Sequence, residues 1–205
     1  VRALGGEENY HQLKTRVMKG VIHTAGSGEA GSTEVYQAAP DKGMSSTYIP
    51  GDKPMRRGYD GAKGWFVDPD EGPQEATGDG LAPIKDEFDF FRNLRLKEIY
   101  PQMSYVGTEA FGGRTAFVTE AKHEKGGSDK FYFDTQTGLL LRHDAYAPDG
   151  GVQQTSYGDY RAVDGIQYPF RVQISDPAEF EIVIEYTAIQ HDAPIDASKF
   201  AMPAQ

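Results

Sequence analysis

Short runs in which apolar and polar residues alternate recur along most of the chain, with turn-forming residues between them. In the last run every second residue from Phe180 onward is apolar, while Glu181 and Glu185 occupy positions in between. Because successive side chains of a strand point to opposite faces, this run predicts a strand over residues 180–189. One of its faces is expected to be apolar and the other solvated.

The same reasoning predicts many other strands. Asp60-Gly61 and Asp164-Gly165 are turn-forming pairs that mark where consecutive strands reverse. Regularly spaced short strands with turn signals between them indicate an antiparallel sandwich or barrel. The remaining predicted strands are residues 16–24, 33–39, 44–49, a hairpin within 56–67, 105–108, 115–121, 130–133, 139–146, 152–160 and 170–174. Residues 68–80, rich in proline, glycine and acidic residues, are predicted to form a loop.

Two segments have the pattern of a helix. Residues 4–13 contain one short predicted helix, in which Gly5 and Gly6 form the break before the helix and Glu7 and Glu8 suit its first turn. Residues 83–100 predict a long helix, because Ile84, Phe88, Phe91 and Leu94 are four, three and three positions apart and share one face. Pro101 would end this helix.

The run Leu139-Leu140-Leu141 follows a predicted turn and breaks the alternation of the strand that it opens. Three consecutive leucines in a strand cannot all face one core. Either both faces of this strand are covered by protein, or one face meets something outside the chain.

Composition and charge exclude several classes of function. The 205 residues are most simply one domain over residues 1–205, and their net charge of -10 argues against a nucleic-acid partner. The chain contains no cysteine, which excludes disulfides and thiolate metal sites in this segment. No apolar run reaches the ~18 residues of a membrane helix. The chain begins with Val1 rather than methionine, so we expect it to be processed or cut from a longer protein whose start carried an export signal.

The sequence contains no convincing catalytic, metal-binding or phosphate-binding motif. The five histidines show no metal-binding spacing, and no nucleophile elbow is present. The glycines of 26–31 have a phosphate-loop spacing but join two predicted strands rather than opening a helix. The acidic residues of 68–72 lack a calcium ligand set and are better interpreted as a turn. The motifs therefore single out no catalytic residue, no metal ligand and no cofactor site, while a catalytic pair among the many carboxylates stays open.

Several short motifs, most of them at turns and strand ends, are spread over almost the whole chain. They are Ala3-Leu4-Gly5-Gly6, Lys19-Gly20, Tyr59-Asp60-Gly61 with Gly64-Trp65, Phe133-Asp134 with the residues of 137–142, Asp159-Tyr160-Arg161 with Asp164-Gly165-Ile166 and Pro169-Phe170, and Pro194-Ile195-Asp196 with Phe200 and Pro203. Together these motifs resemble those of the LolA-like family of outer-membrane lipoprotein-sorting and lipoprotein-carrier proteins.

The resemblance implies an all-β, mainly antiparallel fold. It would be an incomplete, open β-barrel of about eleven strands, with a few short helices filling the concave side. The implied function is non-enzymatic binding of lipid or lipoprotein acyl chains in an apolar cavity, as a carrier or sensor in the periplasm or another extracytoplasmic compartment. The expected partners are a lipid, or the acyl chain of a lipoprotein, and an envelope protein, with the chain itself a monomer.

On this interpretation the cavity between sheet and helices is lined by apolar side chains. The ligand-binding residues that we predict are Trp65, Phe88, Phe91, Leu94, Leu139 and Leu141. The family also uses one sheet arginine to hold the backbone of a covering helix; the candidates are Arg16, Arg56, Arg57, Arg114 and Arg142. The alternative is a protein-interaction or scaffold module with a filled core, fused to another exported domain. An empty volume of several hundred Å³ would favour a lipid binder, whereas ordinary packing density would favour the scaffold.

Overall fold

The structure is a computed structural model that describes residues 1–24, 30–123, 127–146, 151–176 and 180–204. The glycine-rich segment 26–31 therefore lies mostly outside the described residues. The described chain divides into two compact units that interleave along the sequence. The first unit contains chiefly residues 1–6 and 93–185, and the second contains residues 7–23, 30–92 and 186–204. The single domain over residues 1–205 stays a prediction.

The described residues form thirteen strands and three α-helices. The strands are β1 (Thr15–Thr24), β2 (Gly31–Ala38), β3 (Lys42–Tyr48), β4 (Met55–Tyr59), β5 (Gly64–Asp68), β6 (Gly72–Ala76), β7 (Met103–Phe111), β8 (Arg114–Lys122), β9 (Ser128–Asp134), β10 (Leu140–Tyr146), β11 (Val152–Val163), β12 (Ile166–Asp176) and β13 (Phe180–His191). The helices are α1 (Glu7–Gln12), α2 (Leu81–Phe88) and α3 (Leu96–Ile99), and 3-10 turns lie at Arg2–Leu4, Gly78–Gly80, Arg92–Leu94 and Ala197–Phe200.

The strands belong to one sheet in the order β6-β5-β4-β3-β2-β1-β13-β12-β11-β10-β9-β8-β7. Among the described strands β6 and β7 are the two edges, so the sheet is open. Neighbouring hairpin strands pair antiparallel, for example β1 with β2 and β11 with β12. The mainly antiparallel, open all-β architecture is confirmed, with thirteen strands where the resemblance implies about eleven.

Local turn chemistry accounts for the predicted hairpins. Asp164 and Gly165 have positive φ angles of 49° and 81°, and Val163 pairs with Ile166 on either side of them. Two positive φ angles give the backbone the twist that a two-residue hairpin needs. The turn after Tyr59 is closed by Asp60, whose carboxylate accepts hydrogen bonds from the N–H groups two and three residues on, at 2.8 and 2.7 Å.

The long helix predicted over residues 83–100 is wrong. α2 ends at Phe88, and Asp89 adopts an extended conformation with ψ 104°. Phe88 and Phe90 are both fully buried, and a spacing of two does not place both side chains on one helix face. The carboxylate of Asp89 instead accepts the N–H of Phe91 at 3.1 Å, and the Phe90 N–H donates to the carbonyl of Pro40 at 3.0 Å.

The loop predicted over residues 68–80 is also wrong in part, because residues 72–76 form β6. Pro73 made this strand hard to predict from the sequence, because proline is rare inside a sheet. Proline is tolerated there since β6 is an edge strand and does not need every backbone donor. The preceding acidic segment is a solvated turn, as expected: Asp68 accepts the N–H groups of Asp70 and Glu71, both at 2.8 Å.

In the second unit α2 packs against β3, β4 and β5 over a row of paired residues that are all small except Tyr59. Gly43, Tyr59, Gly64 and Ala76 are paired in register across four strands. A Cβ atom at Gly43 would lie 2.1 Å from Cδ1 of Phe88. The glycine therefore creates the space that the fully buried Phe88 ring fills.

Polar contacts fix the end of α2. The Glu87 carboxylate pairs with Arg57 at 2.7 Å and accepts a hydrogen bond from Ser45 at 3.2 Å. Burial raises the pKa of Glu87 even though Arg57 and Ser45 favour its charged form. The Glu87 carbonyl accepts the side-chain amide of Gln37 at 3.4 Å, and that amide's oxygen accepts from the buried Arg16 at 2.5 and 3.0 Å.

The five candidate arginines therefore have different surroundings. Arg16 reaches the α2 backbone through Gln37, and Arg57 pairs with the side chain of Glu87. Arg114 pairs with Asp134 and Arg142 with Asp144, both in the first unit. Arg56 lines a cavity of about 430 Å³ in the second unit.

Candidate functional site

A bulge in β10 determines which faces of the sheet Leu140 and Leu141 occupy. Leu140 pairs with Phe133 and Arg142 pairs with Tyr132, so Leu141 is the extra residue between two paired positions. Leu141 packs in a buried cluster with Tyr132. Leu140 therefore lies on one face of the first unit's sheet, and Leu141 lies on the other.

The face that carries Leu140 presents two rows of side chains that run across the strands. We call it the apolar face. The first row consists of Phe117, Phe133 and Leu140 on β8, β9 and β10, and of the paired Val172 and Ile184 on β12 and β13. The second row consists of Thr119, Phe131, His143, Thr155, Ile174 and Ile182.

Most of these side chains are only partly buried. Ile174, Ile182 and Ile184 are half-buried, and toward the sheet edge Phe117 is 45% exposed and Tyr105 is 62% exposed. Tyr105 and Phe117 contact each other edge-to-face, with ring centroids 6.2 Å apart. Adjacent exposed or half-buried apolar side chains of this kind are typical of a binding surface.

The backbone of this face offers a ligand almost no hydrogen bonds. The strands β8 to β13 all lie inside the sheet, so their N–H and C=O groups are occupied by neighbouring strands. At ~4.8 Å between strands, the rows extend for about 24 Å. A ligand that fits them must be long and apolar.

A buried carboxylate closes one end of the apolar face. Asp129 accepts hydrogen bonds from Nε2 of His123 at 2.8 Å and from Nε2 of His143 at 3.0 Å. The hydroxyl of Tyr100 and the backbone N–H of Tyr146 donate to it as well, each at 3.0 Å. The His143 ring stacks on Phe131 with centroids 4.2 Å apart. The apolar rows therefore end at an ordered polar cluster.

These donors determine the ionisation of Asp129. Burial raises the pKa of this carboxyl, but the hydrogen bonds from His143 and His123 outweigh burial and hold the pKa far below the ordinary value of an aspartate. A lowered pKa in the folded state stabilises the fold above the unfolded-state pKa of about 3.9. That contribution is lost as the pH falls through the folded-state pKa.

We expect Asp129→Asn to destabilise the protein most near neutral pH. The difference in free energy of unfolding from wild type should narrow as the pH falls below about 4, because the unfolded wild-type carboxyl then takes up its proton. Urea unfolding at pH 7, 5 and 3.5 measures the difference. Asp70→Asn, at a side chain that is 92% exposed, is the control and should change little. A difference for Asp129→Asn that stays constant over this range would contradict the interpretation.

The opposite face of the first unit contains a cavity of about 680 Å³. Leu139, Leu141 and Phe111 contribute apolar side chains to its lining, and Arg114 and Gln167 contribute polar ones. Beside it, Arg142 lies over the Tyr132 ring at 5.1 Å and pairs with Asp144. Burial and the neighbouring Asp144 raise the pKa of Tyr132 to about 12.

The six predicted ligand-binding residues are divided between the two units. Leu139 and Leu141 line the cavity of the first unit. Trp65 is buried in the second unit against Phe200, whose carbonyl accepts the indole N–H at 2.7 Å.

The three remaining predicted residues lie in or after α2. Phe88 is fully buried beneath this helix, on the sheet face opposite Trp65. Phe91 is half-buried beside His11. Leu94 is half-buried and belongs to the first unit. The ligand-binding role of all six residues stays a prediction.

None of the residues of the apolar face was among the ligand-binding residues predicted from the sequence. The alternation over residues 170–174 and 180–189 contained a signal for Val172, Ile174, Ile182 and Ile184, which share this face. Nothing in the sequence showed that Leu140, rather than Leu139 or Leu141, would join them, because the bulge depends on pairing with β9.

Two kinds of feature are absent from the part of the chain that the structure describes. None of its helices has the length and apolar character needed to cross a membrane. Within the same residues, no three His, Cys, Asp or Glu side chains are grouped so that they could hold a metal ion.

Comparison with known proteins identifies the fold. No protein-family model matches the chain, and no curated protein sequence matches it. Among solved structures, the chain is similar to a DUF1329 family protein from Desulfovibrio piger, with a TM-score of 0.68 at 15% identity over 95% of this chain and 92% of that one.

Two further structures agree. A putative outer membrane lipoprotein-sorting protein domain from Vibrio parahaemolyticus has a TM-score of 0.63 at 13% identity, covering 94% of this chain and 93% of its own. A LolA superfamily protein from Nitrosomonas europaea has a TM-score of 0.62 at 12% identity, covering 95% and 94%. At these identities the likeness concerns the fold. The chain has a LolA-like fold, as its motifs predict.

Proposed function

We propose that this protein binds the acyl chain of a lipid or lipoprotein on the apolar face, without chemical change to the ligand. The observation that supports this most strongly is the pair of cross-strand rows, in which half-buried apolar side chains line a surface whose backbone groups are already hydrogen-bonded. Such a surface favours hydrocarbon over a peptide, since a peptide brings its own backbone donors and acceptors.

The dimensions suit this ligand. The rows extend for about 24 Å, and one acyl chain spans roughly half of the ~30 Å hydrocarbon core of a bilayer, or ~15 Å. Each buried methylene contributes about 0.8 kcal/mol. Burying part of a chain on Val172, Ile184 and their neighbours is therefore enough for reversible binding.

The side chains of the apolar face are consistent with a binding role without catalysis. The two rows consist of aliphatic and aromatic groups with Thr119, Thr155 and His143 among them. His143 is held by Asp129 and stacks on Phe131. This arrangement gives the imidazole a packing role at the end of the rows.

The fold supports a cellular setting for this role. Lipoprotein sorting is the function named for the similar Vibrio parahaemolyticus domain. We propose that the protein acts in the periplasm or another extracytoplasmic compartment, as a monomer that carries or senses lipid and exchanges it with an envelope protein.

The test is native mass spectrometry of the purified protein, followed by organic extraction and identification of any lipid. We expect a bound species with the mass of an acyl lipid, and its release into the extract. Delipidated protein should then bind a fluorescent fatty-acid methyl ester. No bound lipid together with no binding of the ester would contradict the proposal.

One observation favours the interaction module as the second candidate. β7 is an edge strand, and Tyr105 and Val106 on it are 62% and 51% exposed. Edge strands with free backbone groups accept an added strand from a partner. Protein that binds no lipid but captures an envelope partner, and loses it on insertion of proline into β7, would favour this candidate.

A further inference from the structure

The cavity on the face opposite the apolar face has features of a separate binding site. We propose that it binds a ligand with a carboxylate and a short apolar group, and that Arg114 recognises the carboxylate. This site would act independently of acyl-chain binding, since its apolar floor and its arginine lie on the other side of the sheet.

The floor of the cavity is apolar and well supported. Leu141 is buried and packs with Ala116, Val118 and Tyr132, with Phe111 packed against this cluster. The bulge at Leu141 turns two consecutive side chains, Leu141 and Arg142, toward this face. A cavity of about 680 Å³ above such a floor has the size of an ordinary small-ligand site.

A buried carboxylate positions the arginine at the cavity wall. Nη1 of Arg114 donates to Oδ2 of Asp134 at 2.5 Å, and the Asp134 side chain is 3% exposed while that of Arg114 is 57% exposed. The other carboxylate oxygen of Asp134 accepts the N–H of Gln136 at 2.7 Å. The N–H groups of Gln136 and Thr137, together with Arg114, hold the pKa of Asp134 below its ordinary value.

This anchorage leaves most of the guanidinium available. The contact with Asp134 occupies one nitrogen of Arg114, and the remaining N–H donors lie in the same rigid plane. Such a fork matches both oxygens of a carboxylate, which a flexible ammonium group does not. Asp134 therefore acts as a positioning residue for Arg114.

The other charged side chain of the cavity lining, Asp159, is neutralised by a salt bridge. Asp159 lines the cavity, and Arg161 pairs with it through two nitrogens, one of them at 3.0 Å. Gln167 adds a neutral amide to the lining. A ligand carboxylate would therefore meet Arg114 and an amide above an aliphatic and aromatic floor.

The carboxylate could belong to a short fatty acid or to the C-terminus of a peptide, so the test uses both. Three probes are titrated by NMR into the full chain: hexanoate, N-acetylleucine and the neutral hexanamide. We expect hexanoate or N-acetylleucine to bind at least fivefold more tightly than hexanamide and to shift signals of Leu139 and Leu141. The tighter of the two probes identifies the source of the carboxylate.

Variants test the role of Arg114. Arg114→Gln should lower the affinity for the carboxylate probe at least fivefold and leave hexanamide unchanged. Arg95→Gln is the matched control, because Arg95 is 51% exposed, also pairs with a carboxylate and lies outside the lining of the cavity, and it should change affinity less than twofold. Arg114→Lys keeps the charge but loses the fork, and it should lose most of the affinity even if Arg114→Gln unfolds.

The proposal is overturned if hexanoate and N-acetylleucine bind no better than hexanamide, or if Arg114→Lys binds like wild type. Shifts confined to Ile182 and Ile184 would also overturn it, because the carboxylates would then bind on the apolar face. Ile182→Gln should leave carboxylate binding intact. The experiments can therefore contradict carboxylate binding in the cavity without contradicting acyl-chain binding on the apolar face. They can equally contradict acyl-chain binding alone.

Discussion

Replacing Gly43 by alanine is expected to destabilise the protein by about 3 kcal/mol. The added Cβ would lie 2.1 Å from Cδ1 and 2.5 Å from Cγ of Phe88, and Phe88 is fully buried. The ring cannot stay where it is, and displacing it opens the buried cluster that packs α2 against Tyr59 of β4 and Ala76 of β6. Chemical denaturation of the Gly43→Ala variant measures the loss.

Gly158→Ala is the matched control for this prediction. Gly158 also lies in a strand, and a Cβ built on it meets nothing within 4 Å. Its replacement should change the free energy of unfolding by less than about 1 kcal/mol. Combining Gly43→Ala with Phe88→Leu should cost less than the sum of the two changes, because the smaller side chain relieves the clash. Equal stability of Gly43→Ala and Gly158→Ala would refute the account of how α2 packs.

Replacing Ile182 by glutamine is expected to weaken binding of a fluorescent fatty-acid methyl ester at least tenfold. Ile182 and Ile174 are paired at one end of the second row of the apolar face. Glutamine would remove apolar contact and place an amide without a partner against hydrocarbon, and a tenfold loss corresponds to about 1.4 kcal/mol. Fluorescence titration at fixed protein concentration measures the dissociation constant.

Val183→Gln separates lost binding from lost folding. Val183 is the next residue in the same strand, is also half-buried, and faces the other side of the sheet. Both variants should lose similar thermal stability, whereas Val183→Gln should bind the ester within threefold of wild type. If both variants lose affinity for the ester equally, the loss results from damage to the strand, and the claim that the ester binds on the apolar face is contradicted.

Local chemistry explains what could be predicted from the sequence. The hairpin at Asp164-Gly165 and the strand β13 follow from residues that are adjacent in the chain, because positive φ angles and alternation are local properties. The motifs that resemble the LolA-like family are of the same local kind, which is why they indicate the fold and say little about the ligand.

Tertiary contacts explain what could not be predicted. The pattern of residues 83–100 has helical periodicity, yet burial of both Phe88 and Phe90 ends α2 early. Pro73 made β6 look like a loop, since only its place at the sheet edge permits a proline there.

The candidate site was harder to predict because it depends on register. Leu139, Leu140 and Leu141 are equivalent in the sequence, and the bulge against β9 alone decides that Leu140 joins the apolar face. Trp65 and Phe88 are both large, apolar and central to their segments, yet they pack on opposite faces of the second unit's sheet.

The claim that an acyl chain lies along the apolar face is tested most directly by locating the bound chain. The probe is methyl stearate, which lacks the carboxylate that Arg114 would recognise, added to protein labelled at Ile, Leu and Val methyl groups. We predict NOEs from the methylene groups of the stearate to the methyl groups of Ile174, Ile182 and Ile184, and none to those of Val183 and Leu141. NOEs to Val183 or Leu141, with none to the three isoleucines, would contradict the account.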